Sequence, residues 1–342
     1  MKPLAILDAG MVTPVGFNAA ASCAAIRAGI TGFAETRFMF AGRWLMGAEV
    51  PFDEGWRGPE KLLRLVVPAI AECLHRNREV RPGTTALLLC VAEAERRGGI
   101  EIDGSRFLSA VESALSLTFS ADSRVFAGGR IGGARAVEHA AELLAHGMRH
   151  VIVAGVDSLL TAGALAALDH DRRLLTAANS DGLIPGEAGA AVLVAAGPAP
   201  NTDSLLCVGI GFGREPSAED PERPLRADGL ADAFRAAFTA ANVGWEAVDY
   251  RLTDISGEQQ RFKEAALALT RTVRQRKETF ELWHPADCIG EVGAAALPVV
   301  LGVALAASRN AYAPGPGVLC HFSAEGPERA ALILRRPDRS QN

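Results

Sequence analysis

The stretch FAGGRIGGARA, residues 126–136, sets four glycines at the head of what reads as a long helix, with Arg130 in their midst. Glycine costs a helix interior about 1 kcal/mol relative to alanine, so the repetition needs a reason. A steric reason is at hand: a helix made of Gly and Ala lets its backbone approach another closely. The spacing of Gly128, Gly129, Gly132 and Gly133, and the missing lysine, exclude a dinucleotide fingerprint or a phosphate loop.

The helix continues through IGGARAVEHAAELLAHG (131–147), with Gly147 as its stop. Continuous apolar runs before and after it, TTALLLCVAE (84–93), HVIVAGVDSLL (150–160) and AGAAVLVAA (188–196), read as buried strands. Upstream lie a strand at LAILDAG (4–10) and helices at NAAASCAAIRAG (18–29) and EKLLRLVVPAIAECLHR (60–76). A polar and aromatic stretch between them carries Arg37, Trp44 and Trp56, and reads as a cap or partner surface near 35–60.

After residue 200 the pattern restarts. LLCVGIGFG (205–213) resembles the opening strand. Helices at ADAFRAAFTAAN (231–242), FKEAALALTRTVRQ (262–275) and AAALPVVLGVALAASRN (294–310) follow, with a strand at YRLTDISG (250–257). GVLCHFSAEGPERAALILRR (317–336) reads as two strands around a turn, matching the end of the first half. Strands and helices in alternation predict an α/β layered fold. Duplication predicts two similar halves, 1–200 and 201–342, pressed together through central helices in five layers.

Composition narrows the function. The chain has 342 residues, 49% of them apolar, and a net charge of −5, which argues against a nucleic-acid partner. No apolar run is long enough to span a membrane, and the N-terminus lacks a signal-peptide pattern, so a cytoplasmic location is expected. Cys23, Cys73, Cys90, Cys207, Cys288 and Cys320 form no CxxC pair, so neither a metal site nor a redox dithiol is expected.

Several segments in order resemble the thiolase-like superfamily, specifically the β-ketoacyl-acyl-carrier-protein synthases. LDAGMVTPVGFNAAASCAAIRAGITGF (7–33) is similar to the family's first strand, turn and helix. NSDGLIPGEAGAAVLVAA (179–196) is similar to its Gly-Glu-Gly-Ala-Gly turn and strand. GEVGAAALPVVLGVALA (290–306) and CHFSAEGPERAALILRR (320–336) resemble the segments bearing the last catalytic position and the C-terminal glycine loop. The resemblance covers nearly the whole chain. It implies the five-layered αβαβα fold, a nucleophilic cysteine at the head of the central helix, and two histidines, or a histidine and an asparagine, that assist decarboxylation.

All three catalytic positions depart from that pattern. The cysteine position falls at or beside Arg130, the first histidine at Ser256 and the last position at Glu291, while the glycine loop has become SAEG (323–326). Arginine stays protonated and is no nucleophile. A glutamate repels an enolate, and a serine cannot act as imidazole does near neutral pH. The resemblance therefore implies a degenerate ketosynthase-like protein that acts by binding, with no catalytic residue assigned and no cofactor.

Two readings of Arg130 stand side by side: a buried ion pair with Glu291, widened by Ser256, or an anion site at a helix N-terminus. Gly129, His321, Ser323 and Glu325 are candidate pocket residues. His284 and Cys288, four apart, form a weaker candidate dyad. His139 and His146 read as helix-surface residues, and Asp181 and Glu187 as structural ties around the turn.

By the same resemblance the chain is expected to form a homodimer, or a heterodimer with a ketosynthase-like subunit as chain-length factors do, through a sheet edge. An acyl carrier protein, or an effector or adaptor of type VI secretion, is a further partner that it implies. Two other functions remain open: an acyltransferase or condensing enzyme with a different nucleophile, and a protein that holds an acyl chain or small molecule without turnover.

Overall fold

The computed structural model describes residues 2–337 except Ala41, 198–202 and Pro221. The boundary expected at residue 200 lies outside the described residues. The first half runs β1 (Leu4–Val12), α1 (Ala19–Arg27), β2 (Ala34–Phe40), β3 (Arg43–Gly47), α2 (Gly58–Arg76), β4 (Ala86–Cys90), α3 (Gly104–Leu115), β5 (Arg124–Phe126), α4 (Gly129–Ala145), β6 (His150–Ser158), α5 (Ala162–His170) and β7 (Glu187–Ala196). The second runs β8 (Leu205–Arg214), α6 (Asp228–Ala241), β9 (Tyr250–Thr253), α7 (Gln259–Thr272), β10 (Leu282–Trp283), α8 (Ala286–Ile289), α9 (Ala296–Arg309), β11 (Gly317–Ser323) and β12 (Glu328–Arg335).

The main sheet has the order β10-β9-β11-β12-β8-β1-β7-β6-β4-β5. Counted outward from the central pair, one arm reads β1, β7, β6, β4, β5 and the other β8, β12, β11, β9, β10. The pairings match as well. β1 and β7, and β8 and β12, run antiparallel. So do β7 and β6, and β12 and β11. The outer pairs, β6–β4–β5 and β11–β9–β10, run parallel. The two arms join where Leu4, Ala5 and Ile6 of β1 face Cys207, Leu206 and Leu205 of β8.

Helices α4 and α9 touch each other and strands of both arms; α2 covers β1, β6 and β7, and α6 covers β8 and β12. That is the five-layered αβαβα arrangement, and each interface has its own apolar cluster. The central one includes Ala134, Val137, Leu297 and Leu301. The outer two form under α2, with Leu65 and Ile70, and under α6, with Leu230 and Phe234.

The glycines of the opening stretch serve this packing. A Cβ on Gly133 would stand 2.7 Å from the Leu297 Cβ of α9, so only glycine lets the two central helices meet. Gly129 has φ of +51° and faces the Glu93 carboxylate, which a side chain there would strike. The stretch expected as a cap near 35–60 contains the β2–β3 hairpin. Leu45, Phe38 and Phe40 of the hairpin pack on Leu165, Leu174 and Leu183. None of the described helices is long and apolar enough to cross a membrane.

Candidate functional site

Four backbone features deliver the site. The first turn of α4 supplies Arg130. The loop after β9 supplies Asp254 and Ser256. A tight loop between α8 and α9, with Gly290 and Gly293 at positive φ, supplies Glu291. The β11–β12 turn supplies Glu325. Glu291 is pinned by its own backbone: its N–H donates to Ile184 O at 2.8 Å, and its carbonyl accepts from Gly186 N at 2.9 Å.

Arg130 is 3% exposed and Glu291 2%. Arg130 Nη2 lies 2.5 Å from Glu291 Oε2 and 3.3 Å from Glu325 Oε1, and Nη1 lies 3.8 Å from Asp254 Oδ2. Ser256 Oγ donates to the same Glu291 Oε2 at 2.5 Å, and Gly293 N–H donates to Glu291 Oε1 at 2.8 Å. The cluster extends through Arg173, which holds Glu258 with two bonds of 2.7 Å and reaches Glu325 Oε2 at 2.6 Å. Arg261 lies 3.6 Å from Glu325.

The electrostatics follow from burial and pairing. Burial opposes the Arg130 charge, yet Glu291, Glu325 and Asp254 together hold its pKa above the ordinary arginine value. Burial pushes the Asp254 carboxyl up to about 6, against the pull of Arg130. Burial also works against Glu325, but Arg130, Arg173 and Arg261 bring it down to about 2. Burial raises the Glu93 carboxyl beside Gly129.

A cavity of about 360 Å³ opens over this cluster. Arg130, Glu291, Glu325 and Glu93 line it together with apolar Leu159, Ala164, Leu168 and Leu183. Arg96 also lines the cavity, clamped to Asp157 by bonds of 2.8 and 2.5 Å; Asp157 also accepts from Ala294 N–H at 3.0 Å. The helix head therefore presents a guanidinium already engaged by carboxylates.

The structure thus brings Arg130, Ser256, Glu291 and Glu325 together, and Gly129 lies against Glu93, a cavity-lining residue, without lining the cavity itself. Ser323 stands one layer back, its N–H donating to Asp254 Oδ2 at 3.3 Å. His321 does not reach the cavity. Its ring lies edge-on to Phe234, 5.6 Å between centroids, with Nδ1 3.2 Å from Thr253 Oγ1, and burial drives its pKa down to about 3. Alternation along β11 points it to the outer layer, a consequence of strand register that the glycine-loop resemblance did not reveal.

His284 pairs with Asp287 at 2.9 Å, while Cys288 Sγ faces Ile26 O at 3.8 Å, so these two do not form a dyad. His139 and His146 bond Glu142 on the surface of α4. Asp181 accepts from Gln259 N–H. Glu187 is fully buried and ties Lys61, Ser158 and Val50 N–H together. All six cysteines are buried. Burial raises every one of their thiols, Cys23 and Cys207 to about 12. Among the described residues no cluster of His, Cys, Asp and Glu is placed to hold a metal ion.

Asp254, Glu93, Arg96, Asp157 and Arg173 join the site without being among the candidates named from the sequence. Asp254 carried a signal, two residues before Ser256 in YRLTDISG. Glu93 and Asp157 sit in TTALLLCVAE and HVIVAGVDSLL, apolar runs in which an acid is itself a signal, whereas Arg96 and Arg173 come from segments with ordinary surface-charge character.

Solved ketosynthase structures share this layering. The chain is similar to the ishigamide ketosynthase/chain length factor, with TM-score 0.77 and 15% identity over 98% of this chain and 99% of that one. It is similar to a ketosynthase in complex with its chain length factor from Xenorhabdus doucetiae, at 0.74 and 14%, over 98% of each chain. A type II polyketide acyl carrier protein in complex with its hexaketide-bound ketosynthase matches at 0.76 and 13%, over 98% of this chain and 100% of that one. The protein has the thiolase-like fold of the ketosynthases. No protein-family model matches its sequence, and no curated protein does.

Proposed function

We propose that this protein is a ketosynthase-fold subunit that acts by binding and does not condense acyl groups. One observation carries the reading: the head of the central helix bears Arg130, held by Glu291 at 2.5 Å. No cysteine lies in the cavity, and the six buried thiols are all shifted toward their unreactive protonated form. The partner is a ketosynthase-like subunit, as in the ketosynthase–chain length factor complex that shares the fold. An acyl carrier protein belongs to the same assembly. β5, three residues long at the outer edge of the first arm, is the proposed contact strand. The β2–β3 hairpin offers a second protein-binding surface, where Met39, Trp44 and Met46 are 51%, 48% and 40% exposed. A type VI secretion effector or adaptor is the alternative partner.

The apolar residues lining the cavity favour one further reading, an acyl chain or other small molecule held without turnover. Intact-mass analysis after incubation with an acyl thioester separates the cases. No covalent adduct is expected, and stoichiometric acylation of any residue overturns the proposal. Native mass spectrometry of freshly purified protein reports a retained ligand. Light scattering tests the pairing: a dimer is expected alone or with a ketosynthase-like subunit, and a 35.9 kDa monomer in both samples refutes it.

A further inference from the structure

A second cavity shares no lining residue with the cavity over the Arg130 cluster. It has a volume of about 470 Å³ and opens where β10, the last turn of α1 and the segment after α9 meet. Its walls are aromatic. Trp283 packs on Tyr250 at 4.8 Å and lies within 27° of parallel to Tyr312, 6.3 Å between centroids. Leu252, Val303 and Ile26 close the apolar side. On the rim the Arg27 guanidinium sits 4.2 Å over the Tyr312 ring. His284 engages the rim acid Asp287 at 2.9 Å, whereas Arg27 meets no carboxylate among the described residues.

We propose that this pocket binds a small molecule with a planar aromatic body and a carboxylate. A concave site of this size suits a small molecule better than a protein surface. Aromatic walls favour a planar ring, by stacking and by burial of apolar area. A guanidinium held flat on a tyrosine keeps its N–H edge free, and that edge matches a carboxylate with two parallel bonds. The ring lies against Trp283 and the carboxylate faces Arg27. The binding is independent of whether the Arg130 cavity is occupied or a partner subunit is present.

Isothermal titration with 1-naphthoate and with uncharged 1-naphthamide tests this on the full chain. Naphthoate is expected to bind once per chain. Arg27→Gln is expected to weaken naphthoate by roughly tenfold or more, the worth of hydrogen bonds to a charged group, and to leave naphthamide unchanged. Trp283→Leu is expected to weaken both. Arg27 is exposed, so its variant keeps the fold and is the decisive one of the two. Absence of naphthoate binding at millimolar concentration, or equal affinity in Arg27→Gln, overturns the proposal.

Discussion

Arg130 and Glu291 face each other at 2.5 Å with both side chains almost wholly removed from solvent. They come from opposite halves of the chain, Arg130 from the first turn of α4 and Glu291 from the loop that leads into α9. Neither charge is tolerable alone: an unpaired buried ion costs several kcal/mol, and removing one partner of a buried pair typically costs about 3–5 kcal/mol. The pair thus fastens the halves at the point where the ketosynthase resemblance places reactive groups.

Arg130→Met is accordingly expected to destabilise the protein by about 3–5 kcal/mol in urea unfolding, because Glu291 and Asp254 are left buried without their cation. The double variant Arg130→Met/Glu291→Leu is expected to regain most of that loss. If the two single effects simply add, the pair is not coupled as its geometry requires.

Asp254 and Glu325 should pull stability in opposite directions with pH. The Asp254 carboxyl rises to about 6 in the folded protein, against about 3.9 in an unfolded chain. The folded state therefore binds its proton more tightly, and stability falls as pH rises from about 4 to 6. Comparing Asp254→Asn with the native chain, the variant's relative stability should grow by about 1–3 kcal/mol between pH 4 and 7. Glu325 is depressed to about 2, so its stabilisation is present above the unfolded value, about 4.3, and is lost as pH falls toward 2. Glu325→Gln should cost stability at pH 7 and little near pH 2. Its side chain is 42% exposed, and solvent screening keeps that effect small. Urea midpoints across pH read both signs.

The two middle glycines of α4 should respond differently to alanine. Gly133→Ala forces a Cβ to 2.7 Å from Leu297 Cβ, an overpacking cost of about 1–3 kcal/mol that exceeds the helix-propensity gain of about 1 kcal/mol. Gly132→Ala meets Phe126 O at 3.3 Å, so strain and propensity nearly cancel. Thermal unfolding should rank Gly133→Ala clearly below Gly132→Ala.

Much of the architecture was legible in the chain itself. The repeat from LAILDAG to LLCVGIGFG, and the apolar runs between helices, announced the layers, because strand and helix burial impose periods that survive in sequence. The β2–β3 hairpin and helix α5 were not legible in the same way. Helix α3 does carry a helical stripe, Phe107, Leu108, Val111 and Leu115 in GSRFLSAVESAL, which the expected order of elements left out. The departures at Arg130, Ser256 and Glu291 were also visible as letters.

Which of those letters meet was a matter for the folded molecule. Residue types and local periods fixed the elements, since hydrophobic burial and backbone geometry act over a few residues. The meeting of Arg130 with Glu291, 161 positions along the chain, depends on two helices crossing at Gly133. The recruitment of Glu325 and Asp254, and the turning of His321 away from the cavity, depend on strand register. Charges pair across distances that only packing closes, so tertiary structure alone decided which ions share the buried site and which side chains face it.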